Sequence, residues 1–246
     1  MIRALLALCL SAAGFAAQAA PECRDISHRD RSFTVCEVNI ATDPLRLFLQ
    51  RDDGGPHGHF QSVDTHLKSA GQKLSFAMNA GMYHDNRMPV GLYIENGQQV
   101  QRLITSAGPG NFGLLPNGVF CIGPARVDVI ETLTFERQLP ECTHATQSGP
   151  MLVIDGALHP RFLPDSTSRY VRNGVGTSSD GQTAVFAISN GRVTFHEFGT
   201  LFRDVLKMPN ALYLDGNISR LHAPALGRSD FGFLMGPIVG STTHDE

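Results

Sequence analysis

The chain has 246 residues, with 20 Lys and Arg against 23 Asp and Glu, a formal charge of −3 and a hydrophobic share of 42%. So mild an acidity argues against a nucleic-acid partner, whose phosphates call for a basic face. No linker, charge block, low-complexity run or internal repeat divides the sequence, which excludes solenoids and propellers and predicts one folded domain.

The N-terminus reads Met1-Ile2-Arg3, then an apolar run over 4–17 ending in Ala17-Gln18-Ala19. The run is too short to span a bilayer, and small residues stand where a signal peptidase reads, so 1–19 is expected to be a secretory signal. The alternative is a buried N-terminal helix. Cleavage after Ala19 would leave a domain over 20–246 and take the formal charge to −4. No later stretch is apolar and long enough to be a membrane helix, so no stable membrane insertion is expected and a periplasmic or secreted product is. Beyond Cys9 remain Cys23, Cys36, Cys121 and Cys142. In an oxidising compartment these read as two disulfides. Three connectivities are open; the short loops joining Cys23 to Cys36 and Cys121 to Cys142 are the expected pairing. A zinc site is the rival reading, but the cysteines lack any Cys-x-x-Cys spacing.

Apolar and polar residues alternate over 32–40 and again at Leu45, Leu47 and Leu49, which predicts two strands of a hairpin around Asp43-Pro44. A glycine-rich loop follows at 52–58, then a short helix over 63–70 and a buried strand over 74–78 that ends on Asn79. Further strands are expected over 90–94, 112–115, 119–122, 127–130, 151–154, 171–177, 183–188, 192–195 and 211–214. Most are separated by turns such as Glu95-Asn96-Gly97 and Asp155-Gly156. The segment 199–207 places Leu201, Phe202, Val205 and Leu206 on one helical face, with Thr200 as a candidate N-cap. The expected class is α+β (or α/β): a strand-rich single domain with a mixed sheet and a few helices.

Three clusters carry the polar chemistry. The first, Asn79-Ala80-Gly81-Met82-Tyr83-His84-Asp85-Asn86, follows a buried strand, where polar groups reach the mouth of a crevice. A turn in which Asn and Asp bond their own backbone is the plainer reading. The second holds Gln147-Ser148-Gly149-Pro150 and, further on, Arg172-Asn173-Gly174-Val175-Gly176. An arginine in an apolar strand calls for an anion, either an internal carboxylate or a ligand phosphate held by a two-pronged hydrogen bond. The third is Leu214-Asp215-Gly216-Asn217, again an apolar strand ending on an acid, either a reacting carboxylate or the cap of a tight turn. The sequence has no Gly-x-Ser-x-Gly elbow, Walker loop or His-Glu-x-x-His, and the pair His57-Gly58-His59 reads as a solvated loop. No metal or cofactor is expected.

In order, these clusters resemble the phosphodiester glycosidase family over about 33–236. Asn79-Ala80-Gly81-Met82-Tyr83 with Pro89-Val90-Gly91-Leu92 is similar to the family's Asn-x-Gly-aromatic and Pro-x-Gly-Leu segments. Arg172-Asn173-Gly174-Val175-Gly176 is similar to its Arg-x-x-(Ile/Val)-Gly strand, and Leu214-Asp215-Gly216 to its closing Leu-Asp-Gly-Gly motif. Asn217 departs from the second glycine there. The resemblance implies hydrolysis of a small-molecule or glycan sugar-1-phosphodiester without a cofactor. Asp215 would act as base or electrostatic stabiliser, with Asp85 as a second carboxylate if one is used. Arg172 would bind phosphate and Asn79 position substrate. Gly81, Tyr83, Gln147, Ser148, Gly149, Asn173, Gly216 and Asn217 would line the substrate. A non-catalytic envelope protein that binds glycan or phosphoglycan is the alternative, and a purely structural module a third.

Overall fold

The computed structural model describes residues 21–216 and 218–245. The expected signal segment and Asn217 lie outside the described residues. The domain is strand-rich. Among the described residues, seven strands form one sheet and five form each of two others, with three short α-helices packed outside them. Every pairing between named strands is antiparallel, so the mixed sheet expected from sequence is corrected. The reason lies in the connections: where consecutive strands pair, tight turns such as Asn96-Gly97 and Asp155-Gly156, all four at positive φ, return the chain on itself. Turns of this kind join antiparallel neighbours only.

One core is shared by all three sheets. Val38, Val175, Phe186 and Leu212 enter it from the seven-stranded sheet, Leu47, Phe76, Met78 and Val239 from the second, and Tyr93, Phe120 and Val129 from the third. The strand Gln72–Asn79 is central in its sheet and buried on both faces. Phe76 and Met78 point into the shared core, whereas Leu74 and Ala77 pack under the helix Phe60–Leu67. A bulge opposite Ser241/Thr242 moves Leu74 out of step with Phe76. With a side-chain period of two, such a one-residue slip changes the face a residue serves.

Strand 32–40 is realised as Arg31–Asn39 and the next as Leu45–Phe48, but they are not a hairpin. The first pairs with Glu22–His28 and Thr183–Ser189; the second pairs with Ile238–His244 in another sheet. Asp43 accepts the Asn39 N–H at 3.0 Å, closing a local turn that sends the chain across to that sheet. Segment 112–115 is a turn, because Asn117 bonds back to the Phe112 carbonyl at 2.8 Å. In 192–195 only Val193 bridges, to Tyr170, and Thr194 is already a helix cap. The helix expected from Thr200 starts earlier, as Phe195–Thr200, and runs on into a wide turn, Leu201–Val205. Thr194 and Glu197 exchange side-chain and backbone hydrogen bonds as a capping box, the stronger start signal. The other strands expected at 74–78, 119–122, 127–130, 151–154, 183–188 and 211–214 are present. Those at 90–94 and 171–177 are trimmed to Tyr93–Glu95 and Asn173–Thr177.

Both expected disulfides form, Cys23–Cys36 and Cys121–Cys142. The first joins directly opposed residues of adjacent strands. Structural disulfides of this kind belong to a non-cytosolic, oxidising compartment. No helix among the described residues is long and apolar enough to cross a membrane.

Candidate active site

The three polar clusters lie far apart in sequence and meet where two sheets abut. Asn79 ends its strand, Asn173 begins the strand Asn173–Thr177, and Asp215 ends the strand Asn210–Asp215 beside it. Asn79 and Asn173 are both fully buried. The Asn173 amide nitrogen donates to the Asn79 carbonyl at 2.9 Å and to Asn79 Oδ1 at 3.1 Å. Asn173 Oδ1 accepts the Asp215 N–H at 3.0 Å and the Ser219 hydroxyl at 3.3 Å. Asn79 Oδ1 in turn accepts the Arg220 N–H at 2.8 Å. One buried amide pair thus fixes the backbone on either side of Asp215, and every bond it makes is internal. Satisfied polar networks of this kind hold a single geometry.

Asp215 is half-buried, and its Oδ1 accepts the Gly216 N–H at 2.5 Å. Gly216 is packed so closely on the Tyr213 hydroxyl that a Cβ there would collide with it. Asp215 opens onto a cleft of about 330 Å³ whose other walls include Tyr83, His84, Asp85 and Arg87. The cleft-side segment folds back on itself: Tyr83 bridges Pro89, and His84 and Arg87 close a turn with Asp85 exposed at its tip. Burial, and then the negative charge of Asp215, push the Tyr83 phenol up to about 12, so at neutral pH it is a hydrogen-bond donor in the cleft. Arg87 lies over the Tyr83 ring at 5.6 Å. Its only signal in the sequence is a lone cation between Tyr83 and Gly91.

Arg172 is placed differently. It is 0% exposed and does not line the cleft. Its guanidinium sits 3.6 Å from the Phe195 ring centre and 5.4 Å from those of Tyr170 and Tyr213. Nε donates to Val193 O at 3.0 Å and Nη2 to Ser168 O at 3.2 Å. Among the described residues no carboxylate forms an ion pair with it. Its Nη1 and the Tyr213 hydroxyl are both buried outside hydrogen-bond geometry. The two still act on each other: burial lowers the arginine and raises the phenol, and their mutual interaction opposes both shifts. A buried cation thus stands behind Tyr213, and Tyr213 stands behind Gly216.

Gln147, Ser148, Gly81 and Gly149 make close internal contacts around this centre. Gln147 is buried and ties three segments, accepting the N–H groups of Leu92 and Ile104 and donating to Ile104 O and Thr132. Ser148 donates to Leu214 O at 2.7 Å, clamping the residue before Asp215. Gly81 lies flush against Thr146 and the Gln147 carbonyl, and Gly149 against Asn117, so neither has room for a side chain. Among the described residues no group of three or more His, Cys, Asp or Glu side chains is placed to hold a metal ion.

A family model described as phosphodiester glycosidase matches residues 72–222, a span that contains Asn79, Arg172, Asn173 and Asp215. The chain belongs to this family and is a glycosidase-type hydrolase. It is 37% identical over 185 residues to YigE, an uncharacterized protein of Escherichia coli strain K12, a match covering 75% of this chain and 72% of the relative. Among solved structures it is similar to the zebrafish N-acetylglucosamine-1-phosphodiester alpha-N-acetylglucosaminidase catalytic domain, auto-inhibited by its pro-peptide. That match has a TM-score of 0.59 and 14% identity and covers 90% of this chain and 81% of the other, which shows a shared fold.

Proposed function

We propose that the chain hydrolyses a sugar-1-phosphodiester of the cell envelope, cutting between the anomeric carbon and the bridging oxygen. Water adds at C1, the C1–O bond breaks, the phosphomonoester leaves with the electron pair, and the water's proton passes to solvent or the departing phosphate. The supporting observation is the meeting of Asp215, Asp85, Tyr83 and Arg87 on one cleft above the Asn79–Asn173 pair.

Asp215 stabilises the oxocarbenium-like state, its backbone held in place through Asn173. A phosphate leaving group is weakly basic and needs little protonation, so Asp85 has only a minor proton-transfer role. Tyr83 exchanges its long 3.5 Å bond to the Leu234 carbonyl for one to an oxygen of the bound diester, and Arg87 neutralises its phosphate. Asn79 positions the substrate through the shape of the strand end. Arg172, enclosed as it is, favours the phosphate by its field from beneath the Asp215-Gly216 turn.

Turnover of a sugar-1-phosphodiester by wild type, Asp215→Asn and Arg87→Ala tests this. Asp215→Asn is expected to lose about 100-fold or more in kcat, and Arg87→Ala to raise KM. Undiminished turnover by folded Asp215→Asn sinks the assignment, and binding without product in wild type supports the non-catalytic glycan-binding alternative.

A further inference from the structure

A second cavity, of about 290 Å³, is lined by His59, Gln61, Asp64, His222, Asp230 and Phe231 among others. One loop serves both this cavity and the cleft. Phe231 and Met235 face this cavity, Leu234 O accepts the Tyr83 hydroxyl at 3.5 Å, and Gly236 packs against the Tyr83 ring. The loop carries Phe231 at 84% exposure and Phe233 at 80%, two large rings presented to solvent two residues apart. It is also pinned. Asp230 N–H bonds Leu221 O and Met235 N–H bonds Gly58 O, each at 2.9 Å, and Arg220 holds Phe233 O at 2.5 Å. Phe231 stacks on His59 with ring centres 5.2 Å apart and planes inclined by 14°.

We infer that this cavity is a saccharide subsite that takes a neutral sugar unit of the substrate beyond the phosphodiester, a proposal that rests on the function argued above. The flat Phe231 face matches the C–H face of a pyranose, while Gln61 and the imidazoles offer donors and acceptors to hydroxyls. Arg228 pairs with Asp230 at 2.9 Å and offsets its charge, so it is Asp64, whose Oδ1 already takes the Leu74 N–H and whose Oδ2 faces the cavity, that disfavours an anion there and leaves the phosphate to the cleft. Because the loop is already held, little ordering cost accompanies binding.

The test is NMR titration of the full chain, labelled at Phe and His, with glucose, galactose, mannose and N-acetylglucosamine separately, and with inorganic phosphate. At least one sugar is expected to shift the His59 and Phe231 signals saturably in the millimolar range, and phosphate is not. Phe231→Ala should weaken that binding about tenfold or more, and Asp215→Asn should leave it intact. No saturable shift from any sugar, equal binding by Phe231→Ala, or stronger shifts of these signals by phosphate would each overturn the subsite. Because the readout is binding, a failure of hydrolysis and a failure of the subsite remain separate results.

Discussion

Replacing Arg172 by Met removes its charge while keeping most of its length, and the structure sets the cost. The guanidinium makes two hydrogen bonds to carbonyls and one close ring contact. Bonds to a charged donor contribute about 1.5–3 kcal/mol each and a desolvated cation–π contact about 2 kcal/mol. Against these stands the burial of a guanidinium without a carboxylate, a penalty of roughly several kcal/mol that Met does not incur. Of the two carbonyls left behind, Val193 O keeps the Tyr170 N–H at 3.1 Å. The opposing contributions nearly cancel, so Arg172→Met should move stability by less than about 2 kcal/mol. Arg172→Ala should lose about 3 kcal/mol more, because it leaves a cavity among Tyr170, Phe195 and Tyr213. Urea unfolding of both variants, beside phosphodiester affinity, reads the outcome. Affinity should fall in both variants. If Arg172→Met loses more than about 4 kcal/mol, the cation has a buried anionic partner and the reasoning fails.

Asn173→Ala removes the acceptor of the Asp215 N–H and the donor to Asn79, so it should cost about 2–4 kcal/mol and most of the activity, checked by denaturation and steady-state kinetics. His144 is buried, with its pKa lowered to about 4 by burial and by Arg46. The unfolded chain therefore binds the extra proton first, and stability present above the ordinary value of 6.5 is lost as pH falls toward about 4. That loss is about 3 kcal/mol, and His144→Asn should flatten the slope of unfolding free energy between those pH values. Replacing both Cys121 and Cys142 with Ser opens a loop with a sequence separation of 21. It should cost about 3 kcal/mol, visible as a lower Tm, whereas an unchanged Tm would mean that the bond adds nothing.

The convergence of the polar clusters was more legible in the sequence than the topology. Asn79, Arg172 with Asn173, and Asp215 each stood at the end or start of an apolar run with a glycine close behind, and those local signals converge in space. Arg172 could be recognised as a buried cation, but not as one without a carboxylate, because its aromatic surroundings come from three separate segments. Gln147 and Ser148 were marked as site residues, and their role as internal ties shows only once the segments they join are in place. Pairing was the least legible part. Leu45–Phe48 alternates as a hairpin strand would, yet its partner is Ile238–His244. That strand escaped notice because only Ile238 and Val239 are apolar before Ser241, Thr242 and Thr243, and its place is set by two neighbours rather than by its own pattern. The helix after Thr194 was displaced for a local reason: the Thr-x-x-Glu box outranks Thr200, which lies inside the helix as a buried residue.

The most direct measurement is hydrolysis of a sugar-1-phosphodiester in isotopically labelled water, with mass analysis of both products. Cleavage at the anomeric carbon places the heavy oxygen in the released sugar, and Asp215→Asn should slow the release of that product about 100-fold or more. Heavy oxygen in the phosphomonoester instead would mean attack at phosphorus and would contradict the glycosidic reaction assigned to this cleft.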